Sequence, residues 1–134
     1  MQTFEWFTDA GLATQFGGTL SPTGTNQDYV LYFGTNTASR QVQASSDPGV
    51  DQIVLTIADA NVSTGHPATD VKLALSAAGL DSAVAGASLN LGLTLTSAAA
   101  LAVYIRLTDS TGAAAGVDTD LSITFNSIIE TATA

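Results

Sequence analysis

The 134-residue sequence contains no cysteine. That single absence excludes disulfides, thiolate zinc sites, iron–sulfur clusters and cysteine nucleophiles together, and it fits assembly in a reducing cytoplasm. Positive charge is almost as scarce. Arg40, Lys72 and Arg106 stand against twelve acids, for a formal net charge of −9. Such a surface repels phosphate backbones and anionic lipid, so neither nucleic acid nor membrane is an expected partner. Charged residues of both signs make up 11% of the chain, far below the usual quarter. No apolar run approaches the roughly 20 residues of a membrane-spanning helix. The opening residues Met1-Gln2-Thr3-Phe4-Glu5-Trp6-Phe7 lack a basic region and place an acid inside the apolar patch, unlike a signal peptide.

What is present is alternation. Ile53, Leu55 and Ile57 alternate with Val54, Thr56 and Ala58; Val71, Leu73 and Leu75 alternate with Lys72, Ala74 and Ser76. The same period recurs with Leu89, Leu91, Leu93 and Leu95, with Leu101, Val103, Ile105 and Leu107, and with Leu121, Ile123 and Phe125. Successive side chains of a strand point to opposite faces, so each segment reads as a half-buried antiparallel strand. Two more strands are expected at 29–34 and 40–44, with 34–39 between them as a hairpin loop. Turn formers separate the rest: Ser46-Asp47-Pro48-Gly49, Thr64-Gly65-His66-Pro67 and Ser110-Thr111-Gly112. The alanine-rich 73–86 stretch is interrupted by Gly79 and Gly86, leaving room for one helical turn near 77–81. The expected fold is all-β: a single antiparallel β-sandwich of about seven or eight strands, immunoglobulin-like in arrangement, with a jelly roll as second choice.

Seven of the nine aromatics fall within the first 33 residues. Residues 1–27 therefore read as an N-terminal arm or edge segment with a loop, and 28–134 as the sandwich domain. Two roles are open to Phe4, Trp6, Phe7 and Phe16: an edge strand that caps the core, or an arm that docks on a neighbouring subunit.

Catalytic chemistry finds little support. The single histidine, His66, sits in Gly65-His66-Pro67, which has the composition of an exposed loop tip. Ser63, His66 and Asp70 lack a nucleophile-elbow motif around the serine. Gly17-Gly18 is followed by no Lys-Ser/Thr, so no phosphate loop is present. Asp118 and Asp120 form the best candidate calcium loop, which Asp109 would approach if 101–108 and 121–126 paired as a hairpin. An Asp-x-Asp turn more often bonds to its own backbone, so no cofactor or metal is expected. Asn61-Val62-Ser63 matches a glycosylation acceptor, a pattern frequent by chance.

Several phrases resemble a known group. They are Tyr32-Phe33-Gly34, Ser45-Ser46-Asp47-Pro48-Gly49-Val50-Asp51, Val71-Lys72-Leu73-Ala74-Leu75-Ser76, Ala85-Gly86-Ala87-Ser88-Leu89-Asn90-Leu91-Gly92 and Val103-Tyr104-Ile105-Arg106-Leu107. They resemble the small immunoglobulin-like or sandwich proteins of tailed-bacteriophage virions, over about residues 30–130. The resemblance implies a homo-oligomeric, non-enzymatic capsid decoration or cement protein. Its partners would be the major capsid protein or other virion subunits, and it would sit on the head exterior after assembly in the host cytoplasm. A tail, connector or baseplate component is the alternative from the same particle. A carbohydrate- or receptor-binding sandwich, presenting Tyr104 beside Arg106, is the alternative from another class.

Overall fold

A computed structural model describes residues 3–17, 26–59, 68–97, 99–108 and 121–133. The alternating segments form strands, and the fold is all-β and antiparallel. Ten strands are present among the described residues, more than the seven or eight expected. They are β1 (Glu5–Phe7), β2 (Asn26–Gly34), β3 (Arg40–Ala44), β4 (Ile53–Asp59), β5 (Val71–Ala74), β6 (Leu89–Gly92), β7 (Thr94–Thr96), β8 (Leu101–Thr108), β9 (Leu121–Phe125) and β10 (Ile128–Ala132). One short helix, α1 (Ala77–Ser82), follows β5. Its N-cap Ser76 Oγ accepts from the Gly79 amide at 3.0 Å, satisfying one of the free donors of the first turn.

Three sheets build two layers. The first layer has the order β1-β2-β8-β5. The second is made of β10-β3-β7 and β9-β4-β6, placed end to end. The registers show why these two act as one surface. Both β3 and β4 run antiparallel to the β9–β10 stretch and to the β6–β7 stretch. The central strand is therefore β3 continued by β4, with residues 45–52 looped out between them. Asn126 closes the break. Its backbone N–H donates to the Val54 carbonyl (3.0 Å), its Oδ1 accepts from the Val54 N–H (2.9 Å), and its Nδ2 donates to the Gln52 carbonyl (2.9 Å). One side chain thus supplies ladder bonds that the looped-out segment removes.

The 34–39 segment is not a hairpin. It carries the chain from β2 in the first layer to β3 in the second, and the two strands have no bonds to each other. Likewise β8 and β9 lie in different layers, so the hairpin that would have brought Asp109 to Asp118 and Asp120 does not form. The run expected as one strand through Leu89, Leu91, Leu93 and Leu95 divides at Leu93, next to Gly92 with φ 106°. Strand β5 ends at Ala74, and Leu75 is exposed.

The core lies between the layers. Leu31 and Phe33 from β2, Val103 and Ile105 from β8, and Val71 and Leu73 from β5 belong to one cluster with Val42, Ile53, Leu55, Ile57 and Leu91 of the second layer. Fully burying such a side chain contributes about 1.5–3 kcal/mol, and this cluster joins the two layers in a chain that has no disulfide. Leu80 of α1 is also completely buried, and α1 packs against β5 and β8.

Candidate functional site

The aromatic N-terminal segment packs into its own sandwich. Strand β1 pairs antiparallel with β2, placing Trp6 opposite Phe33 and Phe7 opposite Tyr32. Phe4 is 3% exposed and Phe7 7%, while Trp6 and Phe16 are half-buried and pack on the core. Phe33 is the hub of the cluster, with ring centroids 5.6 Å from Phe4, 5.0 Å from Trp6 and 4.7 Å from Phe125. Trp6 also stacks on Phe125 of β9 at 5.8 Å, joining the two layers through their rings. Strand β1 is an edge strand of the first layer, and Trp6 and Phe16 keep part of their surface exposed. Phe4 and Phe7 are already covered within the chain and present no ring for a neighbour.

After β1 the chain turns back on itself. The Thr8 N–H donates to the Thr14 carbonyl and the Phe16 N–H to the Trp6 carbonyl, each at 2.9 Å. Asp9 organises the turn: its carboxylate accepts from the Ala13 amide (3.0 Å) and the Thr14 amide (2.8 Å). Those backbone donors, Thr14 foremost, hold the Asp9 pKa below the usual carboxylate range. Leu12, at φ 56°, lies against Gly34, where a Cβ would come 2.9 Å from Leu12 Cδ1.

A buried carboxylate fastens this segment to β10. Glu130 has a side chain only 3% exposed, yet it stays ionised. Burial pushes its pKa up, but the amides of Phe4 and Thr3, Arg40 and the Thr3 hydroxyl outweigh that and bring it to about 2. The contacts are short: Thr3 N–H at 2.6 Å, Phe4 N–H at 3.0 Å, Thr3 Oγ1 at 2.8 Å and Arg40 Nε at 2.8 Å. Buried Thr35 donates to Thr3 Oγ1 at 2.8 Å and accepts from the Thr37 N–H, extending the network into the β2–β3 crossing.

The two outer faces differ in charge. On the first layer, Arg106 of β8 forms a bidentate pair with Asp28 of β2 (2.8 and 3.0 Å) and a further bond to Asp81 of α1 (2.9 Å). Arg106 holds the Asp28 pKa low, and the two carboxylates raise that of Arg106. Lys72 stands opposite Arg106 in the β5–β8 register, so two of the chain's three cations share this face. Tyr104 lies two residues from Arg106, opposite Val30 and Ala74 and half-buried between their strands.

The outer face of the second layer is uncharged on its strands. The alternation turns outward Gln41 and Gln43 of β3, Val54, Thr56 and Ala58 of β4, and Asn90 of β6. It does the same for Thr94 and Thr96 of β7, Ser122 and Thr124 of β9, and Ile129 and Thr131 of β10. Gln43 Nε2 donates to Thr94 Oγ1 (3.0 Å) and Gln41 Nε2 to Thr131 Oγ1 (3.2 Å), tying the rows across strands. The looped-out residues 45–52 form a ridge beside Gln43. They carry Asp47, Asp51 and the exposed Val50.

His66, Ser63 and the calcium candidates Asp109, Asp118 and Asp120 lie outside the described residues. Among the described residues no group of three His, Cys, Asp or Glu is placed to hold a metal ion, and no helix is long and apolar enough to cross a membrane. No protein-family model matches the sequence, and neither a curated protein nor a solved structure matches it.

Proposed function

We propose that this chain is a non-enzymatic structural subunit that works by packing against its neighbours, and that its setting is the virion of a tailed bacteriophage. Decoration of the capsid exterior is the first assignment, and a place in the tail, connector or baseplate the second. The observation that carries the subunit reading is the segregation of charge. In a chain of net charge −9, the strands of one sandwich face offer neighbours only threonine, glutamine, serine, asparagine and apolar side chains, among them exposed Ile129. Covering those strands, as distinct from the adjoining ridge that carries Asp47 and Asp51, removes no charge from water and so avoids the largest desolvation cost of association. The virion setting rests on the sequence resemblance alone.

The test is cryo-electron microscopy of the parent particle with mass spectrometry of its proteins. Decoration requires the chain at a copy number commensurate with the head lattice and density at repeated sites on the shell. Density in the tail transfers the assignment to the second place. Absence from purified particles overturns the virion setting.

A further inference from the structure

Two of the three cations of this acid-rich chain stand side by side. Lys72 of β5 lies opposite Arg106 of β8 on the outer face of the first layer, in one row with Asp28 of β2. Like charges placed directly opposite one another repel. At Arg106 the repulsion is offset by Asp28 and Asp81, whose carboxylates lie 2.8 to 3.0 Å away. Among the described residues Lys72 forms no ion pair. A lysine on an edge strand guards it against strand addition, but that role is indifferent to what stands opposite. The row borders a shallow groove of about 550 Å³, lined by Gln27, Asp28, Lys72, Arg106 and Thr108. That volume falls within the range of roughly 300–1,000 Å³ found for small-molecule sites.

The hydrogen-bonding capacity left in the groove is of both kinds. A guanidinium carries five N–H donors, and Arg106 spends two on Asp28 and one on Asp81. The Lys72 ammonium adds further donors. Each Asp28 oxygen takes one bond from Arg106 and retains acceptor capacity, on a side chain 47% exposed. The Thr108 hydroxyl spends its hydrogen on the Asp70 carbonyl at 3.2 Å, which leaves its oxygen as an acceptor. The charges balance locally, with Lys72 and Arg106 against Asp28 and Asp81.

These groups select the chemistry of a ligand. An anion brings acceptors only; it suits Lys72 but meets Asp28 and a chain of net charge −9. A cation brings donors only and meets Lys72 and Arg106. A hydroxyl donates and accepts at once, so a neutral polyhydroxylated molecule serves both sets of groups without adding charge. Adjacent hydroxyls on a sugar ring also present two donors side by side, which a carboxylate accepts with its two oxygens. We propose that this groove is a binding site for an uncharged saccharide. Asp28 accepts from a pair of ring hydroxyls, and Lys72 donates to a sugar oxygen across the groove. Arg106 positions the site, since its two bonds to Asp28 fix the plane of that carboxylate. The polar row, rather than Tyr104, carries the recognition.

The test is an NMR titration of the isotope-labelled full chain with glucose, galactose, mannose and N-acetylglucosamine at millimolar concentration. At least one of the four should move the amide signals of Gln27, Asp28, Lys72, Arg106 and Thr108 while leaving those of β3 and β7 in place. Raising the ionic strength should not weaken the binding, because the ligand carries no charge. Lys72→Met should raise Kd about tenfold, the effect of losing a hydrogen bond to a charged group. It should leave the urea midpoint unchanged, because the ammonium holds no ion-pair partner among the described residues. Asp28→Asn should weaken binding as well, and Lys72→Met keeps the test sound if that variant folds poorly. Three results would overturn the proposal: no movement with any of the four sugars, tighter binding of glucuronate or inorganic phosphate than of a neutral sugar, or an unchanged Kd in Lys72→Met. None of them touches the subunit reading, which rests on the opposite face.

Discussion

Replacing Glu130 by glutamine tests how much one buried charge does for this fold. The isosteric amide keeps an oxygen that can accept from Thr3 and Phe4, but it brings an NH2 group against the Arg40 donor and removes the charge. The magnitude follows from linkage. The folded-state pKa is about 2 against an ordinary value of 4.5, and each unit of difference corresponds to about 1.36 kcal/mol, or about 3 kcal/mol in all. The sign is that of a depressed acid. The contribution is fully present above pH 4.5, declines as pH falls below that value, and is gone below about pH 2. Urea unfolding followed by tryptophan fluorescence suits the measurement, since Trp6 sits in the segment Glu130 fastens. At neutral pH the variant should lose about 3 kcal/mol, equivalent to a fall of roughly 10 °C in Tm for a chain of this size. The gap between wild type and variant should close as pH is lowered from 5 towards 2. A loss under about 0.5 kcal/mol, the range of an ordinary surface change, or a gap independent of pH, would refute the assignment of Glu130 as an ionised buried latch.

Two further substitutions probe other joints. Leu80→Ala removes the completely buried anchor of α1 and should cost about 2–5 kcal/mol by urea unfolding, with hydrogen exchange rising first in α1 and β5. Gly34→Ala places a methyl 2.9 Å from Leu12 Cδ1 and 3.4 Å from the Ala100 backbone. It should cost about 1–3 kcal/mol and open the 8–16 turn to limited proteolysis, whereas an unchanged cleavage pattern would mean that Leu12 does not rest on Gly34.

Much of this architecture was legible from alternation because burial on one face imposes it. Strands β4, β8 and β9 stand where Ile53, Leu101 and Leu121 begin their alternating runs. Strand β10 was not read, and Glu130 is the reason. Its inward face carries Ile128 and a carboxylate, while its outward face carries Ile129, so the apolar period is lost. A buried charge satisfied from residues 90 to 127 positions away leaves no local signature. The β2–β3 connection was misread because 34–39 has hairpin composition, and turn chemistry alone does not say whether a chain returns in its own sheet or crosses to the other. The role of the N-terminal aromatics was open for a similar reason. Large rings favour burial, but the sequence cannot say against which partners, and the contacts with Phe33 and Phe125 come from strands far along the chain. Arg106's two acids come from β2 and α1, equally beyond reach of spacing arguments.

The Glu130 latch also sets an order of events during synthesis. Strand β1 can align on β2 early, but the amides of Thr3 and Phe4 meet their acceptor only when β10 has left the ribosome. The central strand waits as well, since β3 and β4 take β10 and β9 as partners on one side. Pairings this distant in sequence form slowly, and unpaired strands are prone to aggregation in the interval. A nascent chain stalled before residue 128 would hold its rings and its central strand open to whatever is nearest, including the neighbouring copies on the same polysome.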